Sequence, residues 1–190
     1  ESQSRARPPP TCIVLAMTAA ATLVVSHADV ERLLPMSACI DVMAEALVAV
    51  TRGEAMLPLR QVLRLHGGRD AFAVMPAILG PSIGAKIITV FPGNDTTPFE
   101  SHIGVILYFD DVNGRLLAII DASSVTAIRT AAVSGLATRL LANRDASRLA
   151  LLGTGVQAMT HLEAMRAVRP IDRVRVWSRN DERRARFVEW

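Results

Sequence analysis

The sequence predicts an α/β chain in two parts: an N-terminal α+β part with a mostly antiparallel sheet, then an incomplete parallel unit. Three observations predict it. Four apolar runs rich in β-branched residues fall between positions 67 and 121, the last two separated by a stretch containing Asn113-Gly114. An amphipathic helix precedes them, starting at Ser37. From Leu149 the pattern changes to strand, glycine turn, helix, strand.

The first elements read from turn and cap chemistry. Residues 1–16, with Pro8-Pro9-Pro10, lead into an apolar run over 12–25 that has the look of a signal segment and is too short to span a membrane. The favoured reading takes Met17 as a natural start, 1–21 as a disordered extension and 22–25 as a first strand. Ser26 with Asp29 forms a capping-box start, and Pro35 interrupts after "DVERLL". In the next helix Ile40, Met43, Leu47 and Val50 recur at helical spacing, and Gly53 is its stop. Strands follow at 71–75, 86–91, 105–109 and 116–120, the last pair forming a hairpin through Asn113-Gly114. A helix then runs from Thr126 as N-cap to about Asn143. "RLALL", "GTG", "VQAMTHLEAMRAV" and "RVRVW" make one βαβ unit.

Composition narrows the function. The 190 residues, 51% apolar and 21% charged, have room for one large domain or two small ones. A net charge of +3 and a pI near 9.5 would suit an anionic partner, but no basic run is interleaved with aromatic residues, so nucleic acid is not expected. Cys12 and Cys39 lack metal-ligand spacing and read as free thiols of a reducing, cytoplasmic compartment. His27, His66 and His161 have no partners at ligand spacing, so no metal is expected.

The glycine turn carries the first chemistry. Gly153, Thr154, Gly155, Val156, Gln157 and Ala158 fit G-x-G-x-x-G/A: Gly153 permits the tight turn, Gly155 lets a pyrophosphate approach, and Ala158 lets the helix pack closely. Phosphates would rest on the helix N-terminus. The second strand ends in Trp177, Ser178, Arg179 and Asn180, with no carboxylate for a ribose 2′-hydroxyl and an arginine available for a 2′-phosphate. NADP is therefore favoured, with NAD possible.

Two cations stand out. Lys86 is the single lysine among 21 basic residues, at the start of an apolar strand. Either codon bias left it there, or its titratable amine handles a proton or binds a carboxylate. Arg129 falls in the first turn of its expected helix, against the dipole, and reads equally as an exposed arginine or as one that faces a bound anion. His102 is open between a cofactor contact and a strand-edge residue.

With these residues assembled, the chain resembles the ornithine cyclodeaminase/mu-crystallin family from about Val25 to its last residue. The blocks are "LPLR", "MPA", "GAKIITVFPGN", "SHIGVILYFD", "GRLLAIIDASSVTAIRTAAVSGLAT", "LLGTGVQA" and "VWSRN". The resemblance implies an NAD(P)-dependent enzyme with a substrate and dimerisation domain over 22–125, a connecting helix over 126–148 and a partial Rossmann domain over 149–190. It places Arg60, Lys86 and Arg129 at substrate-carboxylate and active-site positions, with Lys86 catalytic. Ser101, His102, Thr154, Val156, Gln157, Ser178, Arg179 and Asn180 fall at cofactor-contact positions, and a cofactor phosphate is an alternative anion for Arg129.

The family's chemistry implies hydride transfer at the α-carbon of an amino or imino acid, with ammonia loss in a true cyclodeaminase. Ketimine reductase or alanine-type dehydrogenase activity is the alternative, and a non-catalytic ligand-binding dimer is a reading of another class. A cytoplasmic homodimer is expected. The family's catalytic aspartate has no counterpart here, and the tail "NDERRARFVEW" reads as a helix cut mid-pattern, so the sequence is expected to be a fragment.

Overall fold

Strand and helix boundaries fall where apolar runs meet capping and turn residues, and the computed structural model describes residues 21–189. The expectations for the Pro-rich start, Cys12 and Met17 lie outside the described residues. β1 (Leu23–Val25) is followed by α1 (His27–Leu33) through the expected capping box. The Ser26 N–H donates to Asp29 Oδ2 at 3.2 Å, and the Asp29 N–H donates to Ser26 Oγ at 3.3 Å. With the Ser26 hydroxyl and Arg32 also donating to it, the Asp29 carboxyl is held down at about 2. Pro35 serves as N-cap of α2 (Met36–Thr51), and α1 and α2 meet at 83°.

The main sheet has seven strands in the order β1-β7-β6-β5-β4-β2, with β3 also on β4. They are β2 (Ala55–Met56), β3 (Gln61–Leu65), β4 (Asp70–Leu79), β5 (Ser82–Val90), β6 (His102–Phe109) and β7 (Leu116–Asp121). Only β1 with β7 is parallel, so the sheet is mostly antiparallel as the sequence implies. β4 and β5 run on to a two-residue loop at Gly80 and Pro81, where Gly80 takes φ +54. Pro76 sits inside β4 without breaking it. On that edge β2 ends opposite Ile78 and β3 begins opposite Val74, so Pro76 falls in the gap between them.

The next helix corrects the expected boundary. α3 spans Ala122–Leu141, with Asp121 rather than Thr126 as N-cap. Asp121 Oδ1 accepts from the Ser124 N–H at 2.8 Å, so the last residue of β7 closes the helix end. Arg129 therefore lies in the third turn, and no dipole conflict exists there. Beyond it come β8 (Arg148–Leu152), α4 (Val156–Val168), β9 (Arg173–Trp177) and α5 (Asp181–Glu189). β8 and β9 pair in parallel, Leu149 opposite Val174, as a βαβ unit requires.

The core lies where α1, α2, α3 and α4 meet, built on Val30, Met36, Cys39, Ile40, Ile128, Ala131, Ala132, Leu136 and Ala164. Small residues on α3 make the approach possible. A Cβ on Gly135 would stand 3.0 Å from Ile40 Cδ1 and 3.2 Å from Ala164 Cβ. Arg169, just past α4, seals the end of α3: Nη2 donates to the carbonyls of Thr138, Arg139 and Ala142 at 2.8, 3.0 and 2.7 Å, and Nε donates to that of Asn143 at 2.8 Å. Among the described residues no single helix is long and apolar enough to cross a membrane.

Candidate active site

Lys86 occupies the middle of β5, opposite Met75 on β4 and Ile106 on β6. Its amine faces α3, where Nζ donates to Thr126 Oγ1 at 3.4 Å. Thr126, expected as a helix cap, instead meets the lysine. Burial first, then the charges of Arg129 and Arg60, hold the Lys86 amine below the ordinary lysine value. Both arginines are thus near enough for their charge to be felt at the amine, from separate segments: the residue before β3 and the third turn of α3. Among the described residues none of the three is ion-paired with a carboxylate. Cations that influence one another without a counter-ion are a candidate site for an anion, and guanidinium groups suit a carboxylate well.

The glycine turn forms a second site. Gly153 has φ +123, a conformation that favours glycine, and its N–H donates to the Trp177 carbonyl at 2.8 Å, tying the turn to the tip of β9. Gly155 is the N-cap of α4 and has open space where a Cβ would stand. Thr154 Oγ1 donates to Ser178 Oγ at 3.2 Å, and the Asn180 N–H reaches the same oxygen at 3.3 Å. Asn180 Oδ1 in turn caps α5 by accepting from the Arg183 N–H at 2.8 Å. A cleft of about 380 Å³ opens here, lined by Gly153, Thr154, Gly155, Ser178, Arg179 and Asn180, with Leu152, Trp177 and Arg183. The open glycine turn, the N-terminus of α4 and a lining with two arginines and no carboxylate fit the phosphate-bearing part of a dinucleotide.

Not every expected contact joins that cleft. Val156, Gln157 and Ala158 follow it into the first turn of α4. Ser101, His102 and Arg129 stand outside its lining. Ser101 Oγ is hydrogen-bonded to His102 Nδ1 at 3.0 Å, and Ser123 Oγ donates to the His102 carbonyl at 2.9 Å, fixing the start of β6 beside the start of α3. Arg183 was not foreseen. Its four-residue spacing from Arg179 was the available signal, but it lies one turn beyond the strand tip. Among the described residues no group of three or more His, Cys, Asp or Glu is placed to hold a metal.

A glycine-turned βαβ unit joined through a long helix to an antiparallel sheet is the frame of Rossmann-type NAD-binding dehydrogenases. The chain belongs to the ornithine cyclodeaminase/mu-crystallin family, whose model matches residues 20–190. It is 38% identical over 138 residues to mouse ketimine reductase mu-crystallin, covering 72% of this chain and 44% of that protein. Among solved structures it resembles Thermococcus litoralis Δ1-pyrroline-2-carboxylate reductase in complex with NADH and L-proline, at TM-score 0.84 and 31% identity, over 88% of this chain and 53% of that one. An archaeal alanine dehydrogenase dimer with bound NAD matches at TM-score 0.83 and 28% identity, over 88% and 52%. The chain spans about half the length of the curated relatives it matches.

Proposed function

We propose that the protein is an NAD(P)-dependent enzyme that transfers hydride at the α-carbon of an amino or cyclic imino acid, with reduction of a cyclic ketimine as its main reaction. The observation that supports this reading is that Arg60 and Arg129 act on the Lys86 amine while none of the three is ion-paired with a carboxylate among the described residues. Arg60 and Arg129 hold the substrate carboxylate, and Lys86 lies at the third corner. Bound NAD(P)H supplies the hydride. The Lys86 amine gives up its proton more readily than an ordinary lysine, which suits protonation of an imine nitrogen. The relatives named for ketimine and pyrroline-carboxylate reduction favour this direction over ammonia loss from ornithine, which is the cyclodeaminase variant.

Arg179, joined by Arg183, is proposed to hold a 2′-phosphate and so to favour NADP. Arg179→Ala should then weaken NADPH by about 1–3 kcal/mol and leave NADH nearly unchanged; equal losses would remove the preference. A homodimer is proposed through the sheet face turned away from α3, where Leu63, Ile78, Ile103 and Val105 are exposed. Cys39, a buried free thiol, suits the cytoplasm.

The test is turnover by the protein at its natural length. It should oxidise NADPH or NADH with Δ1-pyrroline-2-carboxylate or its six-membered homologue, and Lys86→Ala should abolish this without unfolding the protein. Should no cyclic ketimine, proline, alanine or ornithine be turned over, the enzyme reading falls and a ligand-binding role remains.

A further inference from the structure

Thr126, Thr130 and Ser134 stand four residues apart along α3 and form one row of hydroxyls on its surface. Lys86 Nζ donates to Thr126 Oγ1 at one end. Thr130 Oγ1 donates to the Thr126 carbonyl at 2.6 Å, and Ser134 Oγ reaches toward the Thr130 carbonyl at 3.5 Å. At the other end Ser134 Oγ meets His161 Nε2 at 3.0 Å, while His161 Nδ1 lies 2.6 Å from the Gln157 carbonyl. A carbonyl only accepts, so Nδ1 carries the proton, and Nε2 accepts the single Ser134 hydroxyl proton at the shorter of its two contacts, in preference to the Thr130 carbonyl. Both ring nitrogens are engaged, which fixes the orientation of His161.

Gln157 belongs to the first turn of α4, directly after the glycine turn. The row therefore runs from the cationic cluster to the helix end that opens the cleft. Packing of Gly135 on Ala164 brings α3 and α4 close, but apolar contact has little directionality and leaves their relative rotation loosely set. The Ser134–His161 bond is directional, and it lies nearer the start of α4 than that contact does.

We infer that Ser134 and His161 are positioning residues for dinucleotide affinity. They set the rotation of α4, so that the N–H groups at its start face the cofactor phosphates while α3 keeps Arg129 and Lys86 on the substrate side. The inference rests on the dinucleotide reading of the glycine turn.

The test measures NADH and NADPH dissociation constants and melting temperature for the protein at its natural length and four variants. His161→Leu and Ser134→Ala should weaken the better-bound dinucleotide about three- to tenfold, the scale of one hydrogen bond. His161→Gln, whose amide reaches the Nε2 position, should stay within about twofold of wild type. His161→Asn, whose amide mimics only Nδ1, should bind as weakly as His161→Leu. Ser134→Ala removes a single oxygen and keeps the measurement possible if His161→Leu unfolds. Wild-type affinity in Ser134→Ala, or equal loss in His161→Gln and His161→Leu, would overturn the inference and leave the dinucleotide reading standing. A folded wild type that binds neither dinucleotide would remove both.

Discussion

A lysine amine that is partly buried and also near two guanidinium groups keeps its proton less tightly than one in water, and Lys86 is in that position. Its charge is easier to carry in the unfolded chain, so it opposes folding at neutral pH. The penalty fades as pH rises from the depressed folded value toward the ordinary lysine value. Lys86→Met is therefore expected to raise the melting temperature at pH 7, with the gain shrinking near pH 10, while turnover falls by about a hundredfold or more. A parallel melting and activity series checks both. Asp70 behaves oppositely. Buried at 2% exposure, it accepts from His66 Nδ1 at 2.6 Å and from Arg69 at 3.4 Å. The His66 bond, aided by Arg69, outweighs burial and holds the carboxyl below the usual range. The stabilisation is present above the unfolded value of about 4 and is lost as pH falls through the folded value. Asp70→Asn should melt lower than wild type at pH 7, and the two should converge in acid. His66 itself sits at φ +48, ahead of Gly67 and Gly68 at φ +70 and +93, so the bond is made from a sparsely populated backbone.

At the scale of elements, the end of α3 rests on one side chain. A guanidinium fork reaches four carbonyls where an ammonium reaches fewer, so Arg169→Leu should cost about 1–3 kcal/mol in a denaturant titration, and Arg169→Lys should recover only part. β6 depends on a glycine. A Cβ at Gly104 would clash with the Ile87 carbonyl oxygen within the sheet. Gly104→Ala should cost about 1–3 kcal/mol by the same titration. Elements such as the α1 capping box, the 116–120 strand and the βαβ unit were legible because their signals are local in sequence. The start of α3 was not, because Asp121 and Thr126 are both credible caps, and the choice turns on a lysine forty residues away that takes up the Thr126 hydroxyl. β3 and β2 escaped notice because short, exposed strands carry little periodicity. Arg169 was invisible for a related reason, since its acceptors lie 26 to 31 residues upstream.

Across the whole molecule, the candidate site residues were named from the sequence as a set of types, and the structure supplies how those candidates group. Arg60 and Arg129 both act on the Lys86 amine, while the turn and the tip of β9 share one cleft. The exposed apolar sheet face sets a prediction at this scale for the proposed homodimer: Ile103→Glu should lower the mass seen in light scattering to that of a monomer, with the fold retained by circular dichroism, and a wild type already monomeric would remove that proposal. The hydroxyl row along α3 has a bearing on how such chains tolerate changes of length. One residue inserted between Thr126 and Ser134 would turn everything downstream by about 100° around the helix axis. The segment from the cationic cluster to Ser134 is thus phase-locked. The stretch over 144–146, where no helix or strand is formed, has no such phase to keep and should tolerate a change of length, so long as Ala142 and Asn143 stay on Arg169 and the Ser147 carbonyl stays on Asp172 and Arg173.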